Sequence, residues 1–207
     1  MAIEYKFIND AILKYNVSKF LEESLARAGF SRVEVQKTPV ITRITIYVLN
    51  PGRVIGKGGR TIDMITEKVR SQFKMENPQI SIVEVENKML EPLLMAKDMT
   101  QRLEKGVNFR KIMQQTLKNI IDGGAIGVEI IISGKLAAKN ARAKSIRKRI
   151  GYIPNSGNVT TLVREAAAVA YPKYGAIGVK VRIVPPGTVF PDREVKKIEV
   201  PKSIQVA

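Results

Sequence analysis

Val54-Ile55-Gly56-Lys57-Gly58-Gly59-Arg60 is the stretch that decides how the first half of this chain folds. An apolar pair leads into Gly56, two residues follow, and Gly59 opens a helix. Glycine lets a backbone come close to a phosphodiester, and a helix N-terminus offers free amides to its charge. Lys57 and Arg60 add formal positive charge at the same spot. Two other glycine motifs fail. A phosphate-binding P-loop needs four residues between its first Gly and a Gly-Lys followed by Ser or Thr. Here Gly52 and Gly56 enclose only three, and Gly58 follows Lys57. A dinucleotide fingerprint would need glycine at 56, 58 and 61, but position 61 is Thr.

The flanking elements set the context. Residues 8 to about 28 read as an amphipathic helix, with Leu13, Val17, Phe20, Leu21 and Leu25 at three- and four-residue steps and Gly29 as the stop. Ser31–Lys37 alternates Val33 and Val35 with charged neighbours, and residues 41–49 carry Ile44, Ile46 and Val48 on one face, giving two strands. A short helix begins at Pro51. After the glycine loop, Ile62, Ile65, Val69 and Phe73 mark one buried helix face, and Ile80 and Ile82 lie in a third strand. The order helix, strand, strand, short helix, Gly-x-x-Gly, helix, strand resembles the type II KH domain. The loop of that domain clamps about four nucleotides of single-stranded nucleic acid by their backbone. Ile55, Gly56, Lys57, Gly58, Gly59 and Arg60 are the expected contacts.

A second α+β domain is expected over residues 88–184, after a KH domain over 1–87. Pro92 suits the first turn of a helix ending before Gly106, and Asn108 can cap the next. That helix carries Phe109, Ile112, Met113, Thr116, Leu117, Ile120 and Ile121 and stops at Gly123-Gly124. A strand over 126–132 should place Ile126, Val128, Ile130 and Ile132 on one face. Gly124-Ala125-Ile126-Gly127-Val128-Glu129-Ile130 echoes Gly175-Ala176-Ile177-Gly178-Val179-Lys180-Val181, which predicts two neighbouring strands of one sheet. Residues 159–170 mix helix formers with Thr160, Thr161 and Val163 and read as a hairpin strand. The sheet is expected to be mostly antiparallel. Prolines at 185, 186, 191 and 201 imply an extended tail over 185–207 without its own core.

Charge bounds the function. With 35 Lys plus Arg against 19 Asp plus Glu, the chain carries +16, which calls for a polyanion. No apolar run approaches the roughly 18 residues of a membrane span, and the N-terminus lacks a signal-peptide core, so nucleic acid is favoured over membrane. The chain has no Cys and no His, which removes thiol chemistry, zinc ribbons and the commonest general base. No catalytic residues, metal site or cofactor are expected. Residues 130–164 hold eight basic and no acidic side chains, half of the whole excess. Lys135, Lys139, Arg142, Lys144, Arg147, Lys148 and Arg149 lie there among Ala, Ser and Asn, a composition that can lie flat on phosphates. Arg110 and Lys111 sit at a helix N-terminus, where cations are mildly unfavourable, which hints at a negative partner.

Four stretches taken together, Arg53–Arg60, Phe109-Arg110-Lys111, Ser133-Gly134-Lys135-Leu136 and Tyr174–Val181, resemble the small-subunit ribosomal protein 3 family in its archaeal-type form. Without the longer N-terminal extension of bacterial members in this sequence, an archaeal source is expected. The resemblance covers residues 1–184 and implies a cytoplasmic protein of the ribosome, in the small-subunit head beside the channel by which mRNA enters. It implies contacts with small-subunit rRNA, mRNA and the neighbouring small-subunit proteins ten and fourteen. In bacterial relatives a basic trio faces incoming mRNA. Its counterparts here are Arg110, Lys111 and Gln114, so the third charge is missing. Two other readings differ in what they need: a free KH-type RNA-binding factor in RNA processing, and a nuclease or DNA-lesion enzyme, against which the missing His and acidic cluster argue.

Overall fold

A computed structural model describes residues 2–38, 41–73, 75, 77–136, 142–173 and 175–191. The chain divides into two units, Met1–Glu86 and Asn87–Ala207. Lys139, Tyr174 and the tail from residue 192 onward lie outside the described residues.

In the first unit, helix α1 (Ala2–Ser24) is followed by a 3-10 turn at Ala26–Ala28 and strands β1 (Phe30–Lys37) and β2 (Thr42–Val48). Helix α2 (Pro51–Ile55), the glycine loop and helix α3 (Arg60–Phe73) lead to strand β3 (Pro78–Glu84). The sheet order is β1-β2-β3, with β1 antiparallel and β3 parallel to the central β2. The alternation of β2 explains its place. Ile44, Ile46 and Val48 are wholly buried, each contributing about 1.5–3 kcal/mol by leaving water. Val17 and Leu21 of α1 and Ile65 and Val69 of α3 are buried as well. Phe20 and Phe73 join the two helices edge to face, with ring centroids 5.9 Å apart. The helix begins six residues earlier than the apolar spacing suggests. Its first turns escape a core-based reading because Tyr5, Phe7, Ile8 and Ile12 stay exposed.

In the second unit, a 3-10 turn (Lys88–Leu90) precedes helices α4 (Pro92–Glu104) and α5 (Phe109–Asp122). Strands β4 (Gly127–Gly134), β5 (Lys144–Gly151), β6 (Arg164–Ala170) and β7 (Ile177–Val184) form an antiparallel sheet of order β5-β4-β7-β6. The echoed segments are indeed neighbours, β4 beside β7 with Ile130 opposite Val181. One face packs on the helices. Val128, Ile130, Ile132, Val179, Val181 and Ile183 share a core with Met99, Ile112, Met113, Leu117 and Ile120. The fold is α+β in both units.

Three expectations are corrected. Ile126 precedes β4 rather than joining its inward row: its amide donates to Val184 O (3.1 Å), and its side chain packs against the cluster of Ile153, Val163, Val184 and Phe190. Residues 158–162 form a 3-10 turn, anchored by Thr160 and Thr161 hydroxyls bonding to Gly157 O and Asn158 O, so the strand starts only at Arg164. The tail is not coreless at its start. Phe190 is 5% exposed and stands edge-on to Tyr152 at 5.0 Å. The later part of the basic stretch, for which the sequence suggested no element, is an edge strand from Lys144 to Gly151.

Candidate nucleic-acid interface

The glycine loop is built by three left-handed residues in a four-residue span, Gly56 (φ +73°), Gly58 (φ +64°) and Gly59 (φ +79°). Two of them have distinct reasons. A Cβ on Gly56 would lie 2.1 Å from Thr61 Oγ1, so the loop folds back on the first turn of α3 only with glycine there. At Gly58 a Cβ would meet nothing within 4 Å, so this position is open to a ligand. Lys57, Gly58 and Arg60 are exposed, Ile55 is 42% exposed, and Val54 is buried beneath them as the anchor. The expected contacts therefore cluster on one accessible loop. The carboxylate of Asp63 stands in the first turn of α3, near Gly59.

On α5 the local chemistry sets the helix start. Asn108 Oδ1 accepts from Arg110 N–H at 3.0 Å, the cap expected from sequence. The buried face of α5 holds Ile112, Met113, Thr116, Leu117, Ile120 and Ile121. Arg110, Lys111 and Gln114 are all exposed, and the Arg110 guanidinium lies 5.8 Å from the Phe109 ring centroid. Lys118 is exposed as well, seven residues from Lys111 and so on nearly the same side of the helix. Sequence reading passed over it, although the helical period alone would have found it.

β5 rearranges the basic stretch. Strand geometry sends alternate side chains to opposite faces. Ile146 and Ile150 pack toward the core below the helices, so Lys144 and Lys148 belong to that same side. Arg147 and Arg149 lie on the other side, where β4 offers Glu129 and Ile131 and β7 offers Lys180 and Arg182. Consecutive Arg147-Lys148-Arg149 therefore do not make one patch. Nor is the stretch without a compensating acid. Glu129, one residue before the all-basic window, has no exposed side-chain surface; Arg147 Nε donates to its Oε1 and Arg182 Nη1 to its Oε2 at 2.9 Å. Arg182 also donates to Pro154 O at 3.2 Å. Lys135, Arg142, Lys144 and Arg149 are exposed. Among the described residues none of these four, nor Lys111, Lys118 and Lys148, has an ionic partner.

The two units match two family models. Residues 16–90 match the KH domain, and residues 99–183 match the C-terminal domain of ribosomal protein S3. Small ribosomal subunit protein uS3 of Methanospirillum hungatei is 42% identical over 193 residues, covering 93% of this chain and 81% of the relative. The uS3 of Methanoculleus marisnigri is 38% identical, covering 93% and 82%. The chain belongs to the small ribosomal subunit protein uS3 family. Membership in the uS3 family, here of the archaeal type, makes it a ribosomal protein with a structural role in the cytoplasm, and not an enzyme. The net charge of +16 agrees with that assignment.

Proposed function

We propose that this uS3 protein is a structural constituent of the small-subunit head that binds small-subunit rRNA and guides mRNA where it enters. The exposed cations Arg110, Lys111 and Lys118 of α5 and Lys144 and Arg149 of β5, without an ionic partner among the described residues, carry this reading. A cation without a carboxylate beside it is poised for an external phosphate, and a protein neutralising several phosphates gains a steeply salt-dependent affinity. Arg110, Lys111 and Gln114 would face mRNA, with the neutral Gln114 weakening the grip at its own position. Lys135, Lys139, Arg142, Lys144, Arg147, Lys148 and Arg149 would meet rRNA. Small-subunit proteins ten and fourteen are the expected protein neighbours.

The test uses small subunits from cells whose only copy carries Arg110→Ala and Lys111→Ala. Crosslinking between this protein and mRNA downstream of the decoding site should fall several-fold, while the protein still sediments with the subunit. Unchanged crosslinking would remove the mRNA role. Chemical footprinting of the rRNA, with and without the chain, should reveal protections that Arg149→Gln and Arg142→Gln weaken. No protection at all would remove the rRNA role.

A further inference from the structure

Helix α1 carries two apolar faces, and its own unit uses only one of them. Val17 and Leu21 are buried within the unit, and Asp10 on the same side accepts from Lys37 Nζ of β1 at 3.0 Å. The opposite side bears Tyr5, Ile8, Ile12 and Tyr15, which are 63%, 54%, 52% and 66% exposed. Steps of three, four and three hold these four within about 80° of the helix circumference, the spacing of a coiled-coil seam. We propose that this stripe pairs two copies of the chain in an antiparallel two-helix seam.

The stripe reads the same in both directions. Tyr-x-x-Ile-x-x-x-Ile-x-x-Tyr is symmetric about position 10. A two-fold axis there sets Tyr5 opposite the second copy's Tyr15 and Ile8 opposite its Ile12, so every layer matches like with like. A two-fold contact uses the same patch on both chains and therefore needs this mirror symmetry, whereas an unrelated partner makes no such demand on the spacing. Charge fixes the direction. Glu4 and Lys19, both exposed, close the stripe at its two ends, while Asp10 and Lys14 fall on the side away from it. Antiparallel pairing brings the acid end of one helix to the basic end of the other, with Glu4 about one turn from the second copy's Lys19. Parallel pairing would set each charge beside its like, which is unfavourable. Area sets the strength. Each tyrosine, about two-thirds exposed, offers roughly 100–160 Å², and with the isoleucines two copies remove on the order of 1,000 Å² from water. That is the low end for a specific interface, so the dimer is weak and reversible. Two chains of +16 each also repel, which favours separation at low salt.

The experiment is sedimentation equilibrium of the nuclease-treated full chain at high salt, where repulsion is screened and RNA cannot bridge copies. From low micromolar to several hundred micromolar chain, the mass should rise from that of one copy toward that of two. Ile8→Glu with Ile12→Glu should hold it at one copy, with helix content by circular dichroism unchanged. The absence of native Cys permits a second measurement. Tyr5→Cys and Tyr15→Cys chains, mixed and oxidised, should form a mixed disulfide dimer. Each alone should form little, because equal positions lie about 15 Å apart in the antiparallel pair, beyond disulfide reach. A chain that stays single at every concentration overturns the inference and leaves the stripe to another protein. So does a dimer that survives the double glutamate change, or one in which Tyr5→Cys chains crosslink to themselves as readily as to Tyr15→Cys chains.

Discussion

Glu129 and Arg182 meet across the β4–β7 ladder, with Nη1 of the arginine 2.9 Å from Oε2 of the glutamate, which has no exposed side-chain surface. A buried carboxylate is tolerable only when its charge is matched, and Arg147 supplies the second partner. Glu129→Ala should destabilise the second unit by about 3–5 kcal/mol, because Arg182, 15% exposed, would be left without its main counter-charge. The paired change Glu129→Met with Arg182→Met should cost less than either single change, because two apolar side chains replace two matched charges. Thermal unfolding of the four proteins checks this; equal losses in all three variants would mean that the pair acts only through its volume.

The glycine loop predicts a graded series. Gly56→Ala must displace Thr61 as well as strain a left-handed residue, whereas Gly58→Ala meets only the backbone penalty of about 1–2 kcal/mol. Denaturant unfolding should rank Gly56→Ala clearly below Gly58→Ala. The opposite order would mean that the loop relaxes away from Thr61 freely.

Charge reversal in the same loop separates two functions. Lys57→Asp with Gly58→Asp puts carboxylates on two exposed positions and should abolish binding of short single-stranded oligonucleotides by the isolated chain. Incorporation into small subunits should remain largely intact, as read by quantitative mass spectrometry of sedimented particles. Loss of incorporation would place the loop at the ribosomal contact itself.

Phe190→Ala tests whether the chain after β7 belongs to the core. Phe190 is 5% exposed and rests edge-on against Tyr152, so its removal should cost about 3–5 kcal/mol. An unchanged melting temperature would show that the cluster of Ile153, Val163 and Val184 closes without it.

The cap of α5 is a smaller effect. Asn108→Ala removes the acceptor for Arg110 N–H and should cost about 1 kcal/mol. Asn108→Asp should keep the cap, and a loss as large as that of alanine would assign the stability to the amide group instead.

Much of this architecture was legible because it is written in short-range periodicity. Ile44, Ile46 and Val48 alternate, Ile65 and Val69 recur at helical spacing, and the Gly-Ala-Ile-Gly echo marks two strands that pair. What escaped depends on partners distant in sequence. Lys144–Gly151 offers only Ile146 and Ile150, spaced four apart, a pattern a helix fits as well. It becomes a strand because β4 presents an open row of amides and carbonyls to it. Glu129 was hidden for a related reason. Its counter-charges come from Arg147 and Arg182, on two other strands, so a count of charge by segment sets the acid outside the basic window. The glycine loop, by contrast, was readable residue by residue, because φ and close approach are local properties.

The strand order β5-β4-β7-β6 puts the last strand among the described residues, Ile177–Val184, in the interior of the sheet between β4 and β6. During synthesis, β4 and β5 can form a hairpin as soon as they emerge, but β6 has no neighbour to bond until β7 follows it. A nascent chain of about 170 residues therefore displays the apolar row of β4 along an open edge, a form prone to sticking to other chains. Completion of the second unit is a single late event, set by the arrival of β7.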